Sequence, residues 1–460
     1  MFECILAKMM PATKRICLLL STLALLSIPG METASAGGGK GSRKTEAFRE
    51  VAPDRRIPLS LPDFAVEGSA EGALGREIPA LIAADLGMTP FFEFPAADAI
   101  PEKATAEMFA PGGRAPELAR WGHAKVDALL IGRIAGGGDS LTIDVRLYDV
   151  ARGGVLLGRK WVVPMDGWRI AAHRIANEIQ LAFTGFRGVF DTEIAFTAHP
   201  PQRDGAGRGK EVYVVGLDGA APRPVTRNGS FNLFPRWSPD GRRLAFTSFR
   251  TGLPKIYLRD LESRTEREVV PSGNALSPGC FSPGGDLLYY SRSESGSTDI
   301  FALPLDGGDP IRVAGGAITT SPSVSPDGTR MAFVSDRNGT PAIFVREPGR
   351  GAERQVTPSG KFHTSPSWSP TGDLIAYTSQ SAGRFSLMLI RPDGSEPRQL
   401  AGGAGDCIDP AFSPDGNFVA YTYQEGAHSE IRIVSVDGRA TRRVFSGMTG
   451  IGSPSWSPRR

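Results

Sequence analysis

The sequence predicts an α/β N-terminal domain followed by an all-β six-bladed β-propeller, built from SPDG-type repeats and closed into a ring by a C-terminal strand. Three observations carry this reading. Ser-Pro dipeptides recur with their serines at 238, 282, 325, 369, 413 and 457, a spacing of 43 or 44 residues. Each complete copy holds four short β-type segments between turn residues, as a propeller blade does. The sixth copy, "SPSWSPRR", supplies only a first strand.

The missing strands of that copy lie upstream. "DTEIAFTAH" (191–199) matches a second strand, "KEVYVVGLDG" (210–219) a third and "RPVT" (223–226) a fourth. One blade is therefore expected to form from both ends of the domain, which removes two open sheet edges. In the blade that starts at Pro235, "PRWS", "RRLAFTS", "KIYLRDL" and "EREVV" read as successive strands. The "SPDG" turn has a conformational reason. Proline presets φ at the first corner, aspartate bonds back to the local backbone, and glycine takes a left-handed conformation without steric cost. Asp240, Asp327 and Asp415 are accordingly read as turn residues, with Gly284 and Thr371 at the equivalent positions of the other complete copies.

Upstream, residues 51–185 read as the α/β domain and 186–460 as the propeller. "IPLSLPDF" (57–64) is a strand, and "LGREIPALIAADLG" (Leu74–Gly87) a helix ending on glycine. "APELARWGHAKV" (Ala115–Val126) is a second helix. Three strands follow, the first two joined by a "GGGD" hairpin (Gly136–Asp139). A third helix is expected to be capped by Asp166 and stopped by Gly185.

Residues 1–36 have the form of a secretory signal peptide. Lys14 and Arg15 precede the apolar run Ile16–Ile28, and "ASA" offers cleavage after Ala36. Translation could start at Met1, Met9 or Met10, and the run is too short for a comfortable membrane span. Residues 37–50 are Gly-rich and charged, a mobile linker. The mature protein is expected to be exported and soluble. Cys280 and Cys407 remain in it, three repeats apart on opposite sides of a six-blade ring, so two free thiols are expected.

A length of 460 residues argues for two domains, and the 40% hydrophobic, 22% charged composition is that of a globular protein. The 52 cationic and 49 anionic side chains nearly balance, which gives no case for nucleic acid as a partner. There is no Gly-x-Ser-x-Gly elbow and no phosphate-binding loop, so neither an α/β-type hydrolase nor a nucleotide enzyme is supported. His123 and His173 fall on helices of the first domain and read as structural. His363 lies in a loop before an inner strand and His428 in a loop between a second and a third strand. Both loops open on one face, a faint pointer to a metal site, but no cofactor or metal is assigned. The α/β domain enters just before a second strand, and therefore on the "SPDG" face. The opposite face is left open, with loops that read as small and polar and suit a protein partner.

The stretches "IPLSLPDF", "LIAADLG", "DALLIGRI" and "WRIAAHRIANEIQLAFTGFRGVFDTEIAFT", together with the SPDG blades and the terminal "SPSWSPRR", resemble the TolB family. That family is the periplasmic component of the Tol–Pal cell-envelope system. The resemblance implies a monomeric, non-enzymatic adaptor that supports outer-membrane integrity and constriction at division. Its propeller would bind the peptidoglycan-associated lipoprotein Pal, and its extreme N-terminus, here "TEAFREVAPDRR", could contact TolA. The implied Pal contacts fall in the loops before the inner strands. Ala275, Leu276, Thr320 and Ser321 are in best register; Phe231, Asn232, His363, Thr364, Asp406 and Asp409 share the rim. The residues alone leave a second class open: a secreted propeller enzyme, a lyase or a peptidase-associated module, using the channel mouth.

Overall fold

The computed structural model describes residues 55–95, 105–110, 115–201, 209–270, 275–294, 296–347, 353–359 and 361–459. The expected signal peptide and linker, and nearly all of the expected TolA segment, lie outside them.

Strands β1 (Ile57–Ser60), β2 (Ala65–Gly68) and β3 (Phe92–Glu93) precede the long antiparallel meander β4 (Ala128–Gly137), β5 (Ser140–Asp149) and β6 (Gly154–Pro164). The sheet order is β3-β1-β4-β5-β6, and β2 also pairs with β4. Helices α1 (Leu74–Leu86) and α3 (Trp168–Thr184) pack against each other, and α2 is a single short helix, Leu118–His123. Gly138, the first corner residue of the β4–β5 hairpin, has φ +58°, and Gly137 pairs with Ser140. This is the two-residue turn expected of "GGGD".

Three expectations are corrected here. "IPLSLPDF" is a strand only over Ile57–Ser60, because Pro62 has no N–H to give to the ladder. The chain leaves β4 after Ser60 and rejoins it at Ala65. Phe64 fills the jog, and a Cβ on Gly132 would fall 2.3 Å from its ring. The second helix is shorter than 115–126: it turns only around the buried Trp121 and stops before Lys125, whose φ is +58°. Asp166 does not cap α3. It lies in a 3₁₀ turn, Met165–Gly167, which feeds the helix through Gly167 without a side-chain cap. Gly185 does stop α3, in the left-handed conformation with φ +73°. In α1, Pro79 cannot bond to the carbonyl of Gly75. Phe64 N–H takes that carbonyl instead, at 2.8 Å, so no polar group is orphaned.

Among the described residues, six four-stranded sheets follow. The innermost strands of blades one to five are Asn232–Trp237, Ala275–Phe281, Thr319–Val324, His363–Trp368 and Asp406–Phe412. Blade six joins Gly452–Trp456 to Glu193–Ala198, Glu211–Gly216 and Arg223–Pro224. Ser455 pairs with Ala195, and Trp456 with Ile194. The ring is thus closed by the segment that the repeat arithmetic placed there.

The blades cohere through repeated cross-strand pairs. Phe246–Tyr257, Tyr290–Phe301, Phe333–Phe344 and Phe196–Tyr213 stack between second and third strands at 5.7–6.1 Å. The α/β domain is not packed separately from the ring. One apolar cluster runs from Leu59, Ile78 and Ile175 through Phe190 to Phe418 and Trp456.

Candidate functional site

The α/β domain covers one face of the propeller. Arg442, at the start of an outer strand of blade five, bonds to Asp85 of α1 at 3.0 Å. Arg169 of α3 bonds to Asp218, in the turn between the third and fourth strands of blade six, at 2.8 Å. His173 of α3 sits between the two carboxylates, its Nδ1 2.5 Å from Asp85 and its Nε2 3.8 Å from Asp218. Burial alone would push this imidazole down, but the two carboxylates outweigh it and raise its pKa to about 9. Asp218 is held well below the usual carboxylate range: burial opposes this, but the neighbouring His173 and the hydrogen bond from Ala220 N–H prevail. The turn after a third strand and the start of a fourth both lie on the SPDG side, so this buried network holds the domain on that face.

The opposite face is built by the loops that enter each innermost strand. Counting back from the serine of each Ser-Pro pair gives a common register. The residue seven before it begins the rim, as Phe231, Ala275, Ile318, Phe362, Asp406 and Gly450. Phe231 is 37% exposed and Ile318 is 42% exposed, and each is bridged by its backbone to the preceding blade, at Lys210 and Thr298. Phe362 is half-buried and meets Phe385 edge-on at 6.0 Å. Leu253, exposed in a loop between second and third strands, opens on the same side.

The residue six before the serine turns inward. Asn232 and His363 occupy this position and are buried. Asn232 gives its amide hydrogens to Lys210 O, Glu211 Oε2 and Asn228 Oδ1, all within 3.0 Å. His363 Nε2 lies 3.2 Å from Pro358 O, its ring meets Tyr377 edge-on, and burial lowers its pKa. These two side chains brace the rim from beneath instead of presenting themselves on it. His363 is also the first residue of its strand, not a loop residue, as is His428, whose Nε2 lies 3.2 Å from Glu430. Leu276 shares the inward register in the sequence; only its backbone is described, as is that of Ala275, which pairs with Arg292.

Thr320 and Thr364, five before the serine, are half-buried at the channel mouth. One residue further, Phe234, Ser321, Ser365, Asp409 and Ser453 all have φ between +52° and +56°. They mark one bulge repeated around the ring, where the ladder register shifts. Blade two departs, with Pro278 at this count, because proline cannot take a positive φ. Asp409 links neighbouring blades within this ring, accepting Ser365 Oγ at 3.1 Å and Ser453 Oγ at 3.5 Å. Asp406 accepts Phe385 N–H at 2.9 Å. Lys210 borders this side. Burial lowers its pKa, against the pull of the Asp409 carboxylate.

The rim therefore carries apolar side chains on blades one, three and four, hydroxyls at Thr320, Ser321, Thr364 and Ser365 on blades three and four, and the carboxylates Asp406 and Asp409 on blade five. The sequence reading missed Ile318, Phe362 and Leu253 because it judged the loops by average composition. An apolar residue recurring seven before the serine was the available signal. Among the described residues no three His, Cys, Asp or Glu side chains gather to hold a metal. Cys280 and Cys407 are free thiols, pushed by burial up to about 12 and about 11, and so remain protonated.

Comparison with known proteins places this geometry. The model for the TolB amino-terminal domain matches residues 51–156, and that for the TolB β-propeller domain matches 181–460. A Tol-Pal system protein TolB from Roseobacter denitrificans is 35% identical over 213 residues, 46% of each chain. One from Cereibacter sphaeroides is 33% identical over 259 residues, 56% of this chain and 54% of the relative. The chain thus spans about half the length of the curated relatives it matches. The crystal structure of TolB from Acinetobacter baumannii superposes with a TM-score of 0.75 at 26% identity, over 88% of this chain and 98% of that one. With the propeller model alone matching more than half of its residues, the chain belongs to the TolB family.

Proposed function

We propose that this protein is a periplasmic, non-enzymatic adaptor of a Tol–Pal cell-envelope system, and that the uncovered face of its propeller binds a Pal-like lipoprotein. In this reading it supports outer-membrane integrity and constriction at division. Residues 1–36 are a signal cleaved near Ala36, and 51–185 and 186–460 act as two working parts. The names of the relatives support the system. The observation that carries the binding face is that the α/β domain is clamped to one side of the ring, leaving Phe231, Ile318, Thr320, Thr364, Asp406 and Asp409 on the other. Exposed apolar side chains around a concave mouth, with polar groups beside them, suit a protein partner better than a charged polymer. No helix among the described residues is long and apolar enough to cross a membrane.

The test is capture of a Pal-like lipoprotein by the purified chain. Thr320→Arg places a long cation at the channel mouth and Ile318→Asp removes an apolar anchor. Each should weaken binding about tenfold or more, the loss expected of a central contact. Equal capture by both variants would move the binding site elsewhere. TolA binding through the segment before Arg56 is tested separately, by deleting residues 37–54 and measuring association with TolA.

A further inference from the structure

Between the outermost strand of blade six and the outer strands of blade one lies a cavity of about 670 Å³. Its walls carry Arg223, Arg227, Arg250, Arg259 and Arg264 against a single lining carboxylate, Glu266. Glu266 pairs with Arg250 and lies 3.7 Å from Arg259. Glu193, outside the cavity, holds Arg223 through both of its oxygens at 2.9 Å. The nearby Asp260 is occupied by its own turn, accepting the N–H groups of Glu262 and Ser263. Arg227 and Arg264 have no ion-pair partner among the described residues, and both are exposed. Crowding guanidinium groups in one groove without matching acids costs Coulomb energy unless an anion enters.

The turn that carries Arg264 is also unlike its counterparts. Blades two, four, five and six place Asp-Gly between third and fourth strands, at 306–307, 393–394, 437–438 and 218–219, each glycine with positive φ. Blade one has Leu261-Glu262-Ser263-Arg264 there, and Arg264 itself takes φ +59°. An arginine thus stands in a backbone conformation that glycine fills elsewhere, and it faces the groove.

We infer that this groove binds a compact anion carrying two phosphoryl groups. After Glu193 and Glu266 are counted, three of the five arginine charges remain uncompensated. A phosphate monoester carries about −1.5 to −2 at neutral pH, so two such groups match that excess where a single carboxylate would not. The planar guanidinium fork donates to paired phosphate oxygens, and the cavity lies within the size range of small-ligand sites. Pro224, Val225 and Leu261 line it beside the arginines and keep part of it apolar. Asn228, which also lines it, bonds to Asn232 beneath the rim, so the groove runs up to the open face without using the proposed partner contacts.

The experiment is calorimetric titration of the full chain with inorganic pyrophosphate, with hexaglutamate as the competing polycarboxylate. One pyrophosphate should bind per chain. The double variant Arg227→Glu/Arg264→Glu should lose at least tenfold in affinity, while Arg76→Glu, a charge reversal on α1, binds as the parent does. Both sites are exposed and unpaired, and an unchanged thermal melt shows the variant is folded. Sedimentation with phosphatidylglycerol and phosphatidylcholine vesicles separates the sources. Anionic vesicles bound and released by pyrophosphate identify a lipid-borne headgroup, whereas pyrophosphate binding without vesicle binding identifies a free diphosphate. No pyrophosphate binding at millimolar concentration, equal binding by the folded double variant, or tighter binding of hexaglutamate would each overturn the assignment.

Discussion

The serine of each Ser-Pro pair acts alike in every blade. Its hydroxyl accepts the N–H five residues on: Arg243 to Ser238, Leu287 to Ser282, Arg330 to Ser325, Leu374 to Ser369 and Phe418 to Ser413, all at 2.9–3.1 Å. It donates to an aspartate two residues on, at Asp240, Asp327 and Asp415. Where the sequence has Gly284 or Thr371 instead, the carboxylate comes from four residues on, at Asp286 and Asp373. In blade six the same bond spans the chain, Glu193 N–H to Ser457 Oγ at 3.0 Å. At this scale His173 sets a pH dependence. Its pKa rises from 6.5 to about 9 on folding, so the stability it contributes is complete below pH 6.5 and is lost as the pH passes 9. The shift corresponds to about 3 kcal/mol. Urea midpoints should fall between pH 6 and pH 9.5 in the parent, and His173→Gln should flatten that slope.

Among the elements, the strand Gly452–Trp456 closes the ring. It supplies the innermost ladder of blade six, and Trp456 gives its indole N–H to Thr192 at 2.7 Å while stacking on Phe418. Without it, Glu193–Ala198 becomes an unpaired apolar edge, a template for intermolecular pairing. Deleting residues 451–460 should therefore give aggregated or unfolded protein by size-exclusion chromatography and circular dichroism. A soluble monomer with an unchanged melting temperature would refute the seam. The innermost strands also explain what was hard to read in the rim. Successive residues of a strand point to opposite sides, so Asn232, six before the serine, is interior while Phe231, seven before it, is exposed. Asn232 and Phe231 are adjacent in sequence yet have opposite fates.

For the whole molecule, the joint between the α/β domain and the ring is built from charge as well as from apolar packing. Asp85 is fully buried and is compensated by Arg442 from the propeller and His173 from its own domain. Removing one partner leaves a buried charge without its match, a loss of about 3–5 kcal/mol. Arg442→Ala should thus loosen the joint, seen as faster proteolysis around residues 185–192 and a larger radius of gyration in solution scattering. An unchanged profile would show that the apolar cluster alone fixes the arrangement. The connection between the two, residues 185–192, is itself tied: Asn177 bonds to Phe190 N–H and to Asp191, and Arg187 pairs with Asp191.

What the sequence determined by itself was periodic: the number of blades, the turn at each Ser-Pro-Asp-Gly, and the strand shared between the two ends. A fixed repeat and local turn chemistry need no knowledge of distant contacts. Only the tertiary structure decided how His173, Asp85, Asp218 and Arg442 meet, because they lie on four elements spread over more than 350 positions. It also decided that Arg223, Arg227, Arg250, Arg259 and Arg264 face one groove, since two neighbouring blades must pack before those side chains share a space. Charge and burial are properties of assembled surfaces, and no local pattern in the chain specifies them.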